Sequence, residues 1–154
     1  MQRAITAFFQ DDEGDWAARL DCGHAQHTRH NPPFVNRPWV LDPQARAARI
    51  GESLECLKCE RLELPEGLES YRKTPQFDAG STPKGLRAEH NTKTGVWGRI
   101  RVESGSLTYI TLGAERQEYT VSRDEPGIIA PLMKHYVVPH EGVSFHVEFL
   151  RLPE

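Results

Sequence analysis

All three cysteines of this 154-residue chain fall in one stretch, which opens at Cys22-Gly23-His24 and closes at Cys56-Leu57-Lys58-Cys59, with His27 and His30 between. Thiolates and imidazoles in tetrahedral number are the ligand set that zinc takes in closed structural sites. A Cys-x-x-Cys pair turns back tightly enough for both sulfurs to reach one ion, and Gly23 relieves the crowding of a Cys-x-His chelate. The reading is therefore one Cys3His zinc site built from Cys22, His24, Cys56 and Cys59. His27 or His30 could reach the metal from the same turn in place of His24. The competing reading is three reduced thiols beside a surface histidine cluster, an arrangement that seldom comes as Cys-x-x-Cys with histidines at hand.

What surrounds this stretch makes a metal staple necessary. Residues 3–20 read as a hairpin: Ile5, Ala7 and Phe9 alternate, Trp16, Ala18 and Leu20 alternate, and Asp11 to Asp15 between them is turn chemistry. Three prolines between Asn31 and Val40 forbid a regular helix there. Asp42 then caps a short helix with Pro43 in its first turn and Gly51 just past its end, returning the chain to Cys56. So little apolar material supports a unit of about 60 residues only if metal-binding free energy is added to its folding free energy.

At Leu64-Pro65-Glu66-Gly67 the pattern changes to short alternating runs divided by glycine, proline and acidic turns. Val96, Gly98, Ile100 and Val102 share one face, Leu107 to Leu112 alternate on the next strand, and Glu103-Ser104-Gly105-Ser106 joins them. Further strands are expected near Tyr119–Val121, Ile128–Ala130, Tyr136–Val138 and Val143–Leu150. The expected organisation is thus mainly β: a zinc-stapled α+β domain over 1–62, then a small barrel or jelly roll over 63–154.

Charge and compartment narrow the partners. The net charge of -3 argues against a general polyanion binder, and eight Lys/Arg against nine Asp/Glu through Arg61 leave the first half near neutral. Nucleic acid is therefore disfavoured, although Arg29, Arg37, Arg46 and Arg49 could form a local patch. Asp11 and Asp12 interrupt the N-terminus before a signal-peptide core could be completed, and no apolar run is long enough to cross a bilayer. A cytoplasmic protein with no membrane partner is expected, and an odd cysteine count with Cys-x-x-Cys favours metal over disulfides there. No phosphate-binding glycine loop, Gly-x-Ser-x-Gly elbow or His-Glu-x-x-His occurs.

The run His90-Asn91-Thr92-Lys93-Thr94-Gly95-Val96-Trp97-Gly98-Arg99-Ile100, with Glu103 to Leu107 and Pro131-Leu132-Met133-Lys134-His135, resembles the cupin-like TehB/YeaR family associated with tellurite resistance. The resemblance takes in Leu64 to Leu68, Tyr71 to Pro75 and Val147 to Phe149, spanning roughly residues 64–152. Residues 4–60, with Cys22-Gly23-His24, Arg29 to Pro33, Arg37 to Val40 and the Cys-x-x-Cys, resemble a separate zinc-ribbon-like bacterial domain family of unassigned function. The resemblance implies a double-stranded β-helix at the C-terminal end. It also implies a cupin metal site of which only part is present: His90 and His135, completed by Glu148 or His146, would hold a second divalent metal with open positions for a ligand. The alternation of Phe145, Val147 and Phe149 argues the other way, because it turns His146 and Glu148 outward.

Two functions compete. One is a cupin-type protein, whether enzyme or binder, that takes a small molecule or oxyanion in a bacterial stress response. The other is an adaptor whose zinc domain binds a protein through the arginines and Trp39, with the cupin as a sensing or homodimerising module.

Overall fold

A computed structural model describes residues 1–154. The fold is mainly β, and the chain divides into two compact units, Met1–Leu57 and Lys58–Glu154.

Unit 1 is a four-stranded antiparallel sheet of β1 (Gln2–Gln10), β2 (Trp16–Leu20), β3 (Ala25–His27) and β4 (Ser53–Glu55), ordered β3-β2-β1-β4. The expected hairpin is β1 and β2, paired from Ile5 opposite Leu20 to Gln10 opposite Trp16, with one irregularity between Ile5 and Ala7. Its turn is tied by the Asp11 carboxylate, which accepts from the backbone N–H groups of Glu13 and Asp15, both at 2.9 Å. A 3-10 turn at Pro38–Leu41 leads into α1 (Pro43–Ala48), where the Asp42 side chain accepts the Gln44 N–H at 3.0 Å. That cap satisfies one of the amides that a helix start leaves without an internal partner. The apolar interior is slight: Ile5, Ala17, Ala18, Leu20 and Val40 are buried, and α1 buries no residue.

Unit 2 holds two sheets. One has three strands, β7 (Leu107–Leu112) between β8 (Arg116–Val121) and β10 (His135–Pro139). The other has four, β5 (Glu69–Lys73), β11 (Ser144–Arg151), β6 (Trp97–Ser104) and β9 (Gly127–Ile129), in that order. Short helices α2 (Leu57–Glu60) and α3 (Lys84–Arg87) complete the elements. The period-2 pattern makes one core for both sheets, since Ile100, Val102, Leu107, Tyr109, Val121, Ile129, Val137, Val143, Phe145 and Val147 form a single buried cluster. Gly98 has a packing reason, because a Cβ there would stand 2.8 Å from Ile129 Cδ1 on the neighbouring strand. Trp97 is fully buried, as a large aromatic on a central strand tends to be. No helix is long and apolar enough to cross a membrane.

Candidate functional site

Topology brings the cysteines together. Strands β2 and β4 both run antiparallel to β1, so both end at the edge where β1 begins. The chain leaves β2 through a tight turn at Asp21–Gly23, in which Leu20 N–H donates to the His24 carbonyl and Gly23 N–H to the Leu20 carbonyl, both at 2.9 Å. Gly23 takes φ +94°, a region open to glycine at little cost. Cys56 follows β4 directly, its N–H donating to the Met1 carbonyl at 2.8 Å, and α2 presents Cys59. Cys22, His24, Cys56 and Cys59 are all buried, and their ligand atoms lie within 4.8 Å of one another. The Cys22 and Cys56 sulfurs are 3.9 Å apart, far beyond the S–S bond length of about 2.05 Å. His24 Nδ1 stands 3.4 Å from each of them. These four residues could hold a metal ion.

The alternative ligands are placed elsewhere. The His27 side chain is 79 % exposed, with Nδ1 3.8 Å from the Asp11 carboxylate. His30 Nδ1 accepts the Arg37 backbone N–H at 2.8 Å, which fixes the proline-rich loop. Three of the four arginines proposed as a local patch, Arg29, Arg46 and Arg49, are engaged within the unit. Arg46 stacks 3.7 Å over the Trp16 ring and donates to the Val40 carbonyl, Arg49 lies 4.0 Å over Trp39, and Arg29 is 3.7 Å from Asp15. Trp39, expected to be exposed, is half-buried, with Phe8 edge-on at 5.8 Å.

Unit 2 has a cavity of about 270 Å³. Its walls are mostly apolar, with Ile100, Ile129, Val137, Phe145 and Phe149 among them, and His90 and His135 contribute imidazoles. The two histidines face each other across an isolated antiparallel bridge, each N–H donating to the other's carbonyl at 2.9 and 3.0 Å. Their ring centroids are 4.0 Å apart. His135 Nδ1 lies 2.9 Å from the Met133 carbonyl and His90 Nδ1 2.9 Å from the Ala88 carbonyl. Burial lowers the His135 pKa to about 4, the bond to Met133 opposing and the neighbouring His90 adding to the shift. The ring is therefore neutral at pH 7. Asn91, Thr92 and Lys93, which follow His90 in the chain, and Arg72 on β5 also line the cavity. Sequence reasoning had not assigned Arg72 or Lys93 to it.

The three-ligand set implied for a second metal is not assembled. Glu148 sits in the middle strand of its sheet, opposite Lys73 on one side and Arg99 on the other. Its carboxylate is held by Arg99 at 3.0 Å, Lys73 at 3.7 Å and Arg101 at 3.9 Å. His146 bonds through Nδ1 to the Gln76 side chain at 2.8 Å. Neither lines the cavity, because successive strand residues point to opposite faces and β11 gives it Phe145, Val147 and Phe149. His140 is half-buried and bonded through both ring nitrogens, to Ser106 Oγ and Thr108 Oγ1, each at 2.8 Å.

Comparison with known proteins follows the two-part organisation. Residues 6–63 match a family described as a protein of unknown function, DUF3565, and residues 72–147 match the TehB-like domain. No curated protein matches the sequence. Among solved structures, a protein from E. coli strain K12 is similar at 23 % identity and a TM-score of 0.54, over 60 % of this chain and 98 % of that one. TehB from Haemophilus influenzae is similar at 22 % identity and a TM-score of 0.53, over 56 % of this chain and 32 % of its own length. At these identities the likeness is one of fold, and this chain corresponds to about a third of that TehB.

Proposed function

We propose that this is a small-molecule binding protein of two parts: a unit clasped by structural zinc, and a TehB-like unit, built as a cupin-type jelly roll, that takes its ligand in the His90/His135 cavity. The observation that carries the binding role is the pair of imidazoles set side by side in a mostly apolar cavity. A concave apolar site with a few convergent polar groups is the usual form of a small-molecule site.

Zinc is favoured by the donor set and the spacing. Zn–S bonds of about 2.3 Å and Zn–N bonds of about 2.0–2.1 Å at tetrahedral angles require S···S edges near 3.8 Å and S···N edges near 3.5 Å. The separations here are 3.9 Å and 3.4 Å. Four protein ligands leave no open position, so the ion serves structure rather than catalysis. With only two imidazoles converging in the cavity, the second unit binds without a resident metal. A part in tellurite or other stress responses rests on the TehB likeness alone.

The adaptor reading is weakened by the engagement of Arg46 and Arg49 on tryptophan rings but keeps one feature. Phe34 is 89 % exposed, on a turn closed by paired backbone bonds between Asn31 and Val35. A protein partner would use that ring.

Amide NMR spectra of the full-length protein, recorded against a library of small organic molecules, test the binding role. Shifts clustered on residues 90–93, 128–137 and 145–149 are expected. Shifts confined to unit 1, around Phe34, would overturn it in favour of the adaptor.

A further inference from the structure

The hydrogen bonds behind the two imidazoles decide what the cavity can recognise. A backbone carbonyl only accepts, so a ring nitrogen 2.9 Å from one carries the proton. Both His90 and His135 meet this condition through Nδ1, and in a neutral ring the remaining polar atom, Nε2, is then a lone pair. His135 thus offers the polar end of the cavity an acceptor and no imidazole donor, and a neutral His90 ring with the same Nδ1 contact offers a second acceptor. Fully ionised inorganic oxyanions, which only accept, are mismatched to that end. A pure hydrocarbon is mismatched too, since it would strip water from both nitrogens and return no hydrogen bond.

The mouth has the opposite character. His135 is 1 % exposed and lies deep, whereas Arg72 and Lys93 line the same cavity and are exposed. Neither cation has a carboxylate partner, and no Asp or Glu lines the cavity. Between the two ends the wall is apolar. Resting on the cavity as a ligand site, the geometry leads us to infer that the ligand is a small organic acid whose apolar body carries a hydroxyl donor at the end away from its carboxylate. The hydroxyl donates to Nε2 of His90 or His135, the body lies along Ile100, Ile129, Val137 and Phe145, and the carboxylate meets Arg72 and Lys93. This replaces the oxyanion of the sequence reading with a molecule matched at both ends. A metal ion held by the two Nε2 atoms would need ligands that the cavity wall does not supply.

Four probes separate the parts of this inference: 4-hydroxybenzoate, benzoate, phenol and tellurite, titrated into full-length protein at pH 7.5 and followed by NMR and calorimetry. 4-Hydroxybenzoate is expected to shift cavity resonances and to bind at least about tenfold more tightly than benzoate or phenol, the ratio of one added hydrogen bond to a desolvated acceptor. The one of His90→Phe and His135→Phe that removes the accepting ring should abolish its advantage over benzoate. Lys93→Gln with Arg72→Gln should abolish its advantage over phenol. Equal affinity for 4-hydroxybenzoate and benzoate, or preferential binding of tellurite in the cavity, overturns the ligand class while leaving the cavity as a binding site. Cavity resonances unmoved by all four probes overturn the ligand class and the binding role together.

Discussion

The two units reach a fixed structure by different physical means. Unit 1 buries three large aliphatic side chains, Ile5, Leu20 and Val40, together with small alanines, and carries Cys22, His24 and Cys56 of a buried Cys/His cluster whose fourth member, Cys59, follows two residues past its end. Unit 2 buries a ten-residue apolar cluster shared by two sheets, and its buried histidine faces a cavity rather than a metal cluster. Burial of apolar area stabilises at roughly 25 cal/mol per Å², so a short core must be supplemented, and metal binding to a folded state alone is folding free energy. The contrast teaches that the same residue type serves opposite ends. His24 is buried against two sulfurs with which it could hold a metal ion, and His135 is buried against a carbonyl beside a cavity.

The sharpest way to break the contrast is to remove a sulfur. Cys56→Ser or Cys59→Ser should lose the metal and unfold unit 1, because apparent binding free energies of structural zinc reach about 10–16 kcal/mol. His24→Ala should follow them, while His27→Ala and His30→Ala retain the metal. Elemental analysis with circular dichroism reads both, and stoichiometric metal in the double cysteine variant would contradict the assignment.

The converse change belongs to unit 2. Phe145 is fully buried, edge-on to Phe77 at 5.7 Å, and Phe145→Ala should cost about 3–5 kcal/mol. Denaturant unfolding followed by unit 2 amide signals measures it. Metal content should stay unchanged, and loss of the metal in this variant would show that the two stabilities are not separable.

Next in size is the acid response of His135. Its pKa is about 4 in the folded protein against an ordinary 6.5, so the unfolded chain takes up the proton first. Stability from the neutral ring is fully present above about pH 6.5 and is lost as pH falls from there toward 4, by up to ~3 kcal/mol. His135→Gln should flatten that part of the pH profile of unit 2. An unchanged profile would mean that the ring is solvated in the folded protein.

The smallest effect tests local structure in unit 1. Asp42→Ala removes the cap of α1 and should lower stability by about 1 kcal/mol without releasing the metal. Thermal melts of metal-loaded protein suffice, and a loss several times larger would mean that α1 supports the Cys/His cluster directly.

Much of this was legible in the sequence where the signal is local. The Asp42 cap, the β1–β2 hairpin and the strand alternation from Trp97 to Leu112 are short-range patterns, and the structure holds them. The four metal-ligating candidates were legible because their residue types are rare and chemically matched. Strand β3 was not legible: Ala25, Gln26 and His27 are all exposed and show no apolar alternation, so only pairing with β2 makes them a strand. The clamp on His140 and the three cations around Glu148 depend on strand registers that no local pattern encodes. The two cations of the cavity were invisible for the same reason, since Arg72 and Lys93 come to one cavity only through the pairing of β5 with β11 and the bridge of His90 with His135.

Metal removal tests the central claim most directly. Amide NMR spectra of the full-length protein should be recorded before and after treatment with a strong chelator at neutral pH. The account predicts that signals from residues 1–57 collapse to unfolded positions and return on adding zinc, while the unit 2 signals, with those of residues 90–93 and 135, stay in place. A chelated protein whose residues 1–57 remain dispersed, with the metal gone, would contradict it.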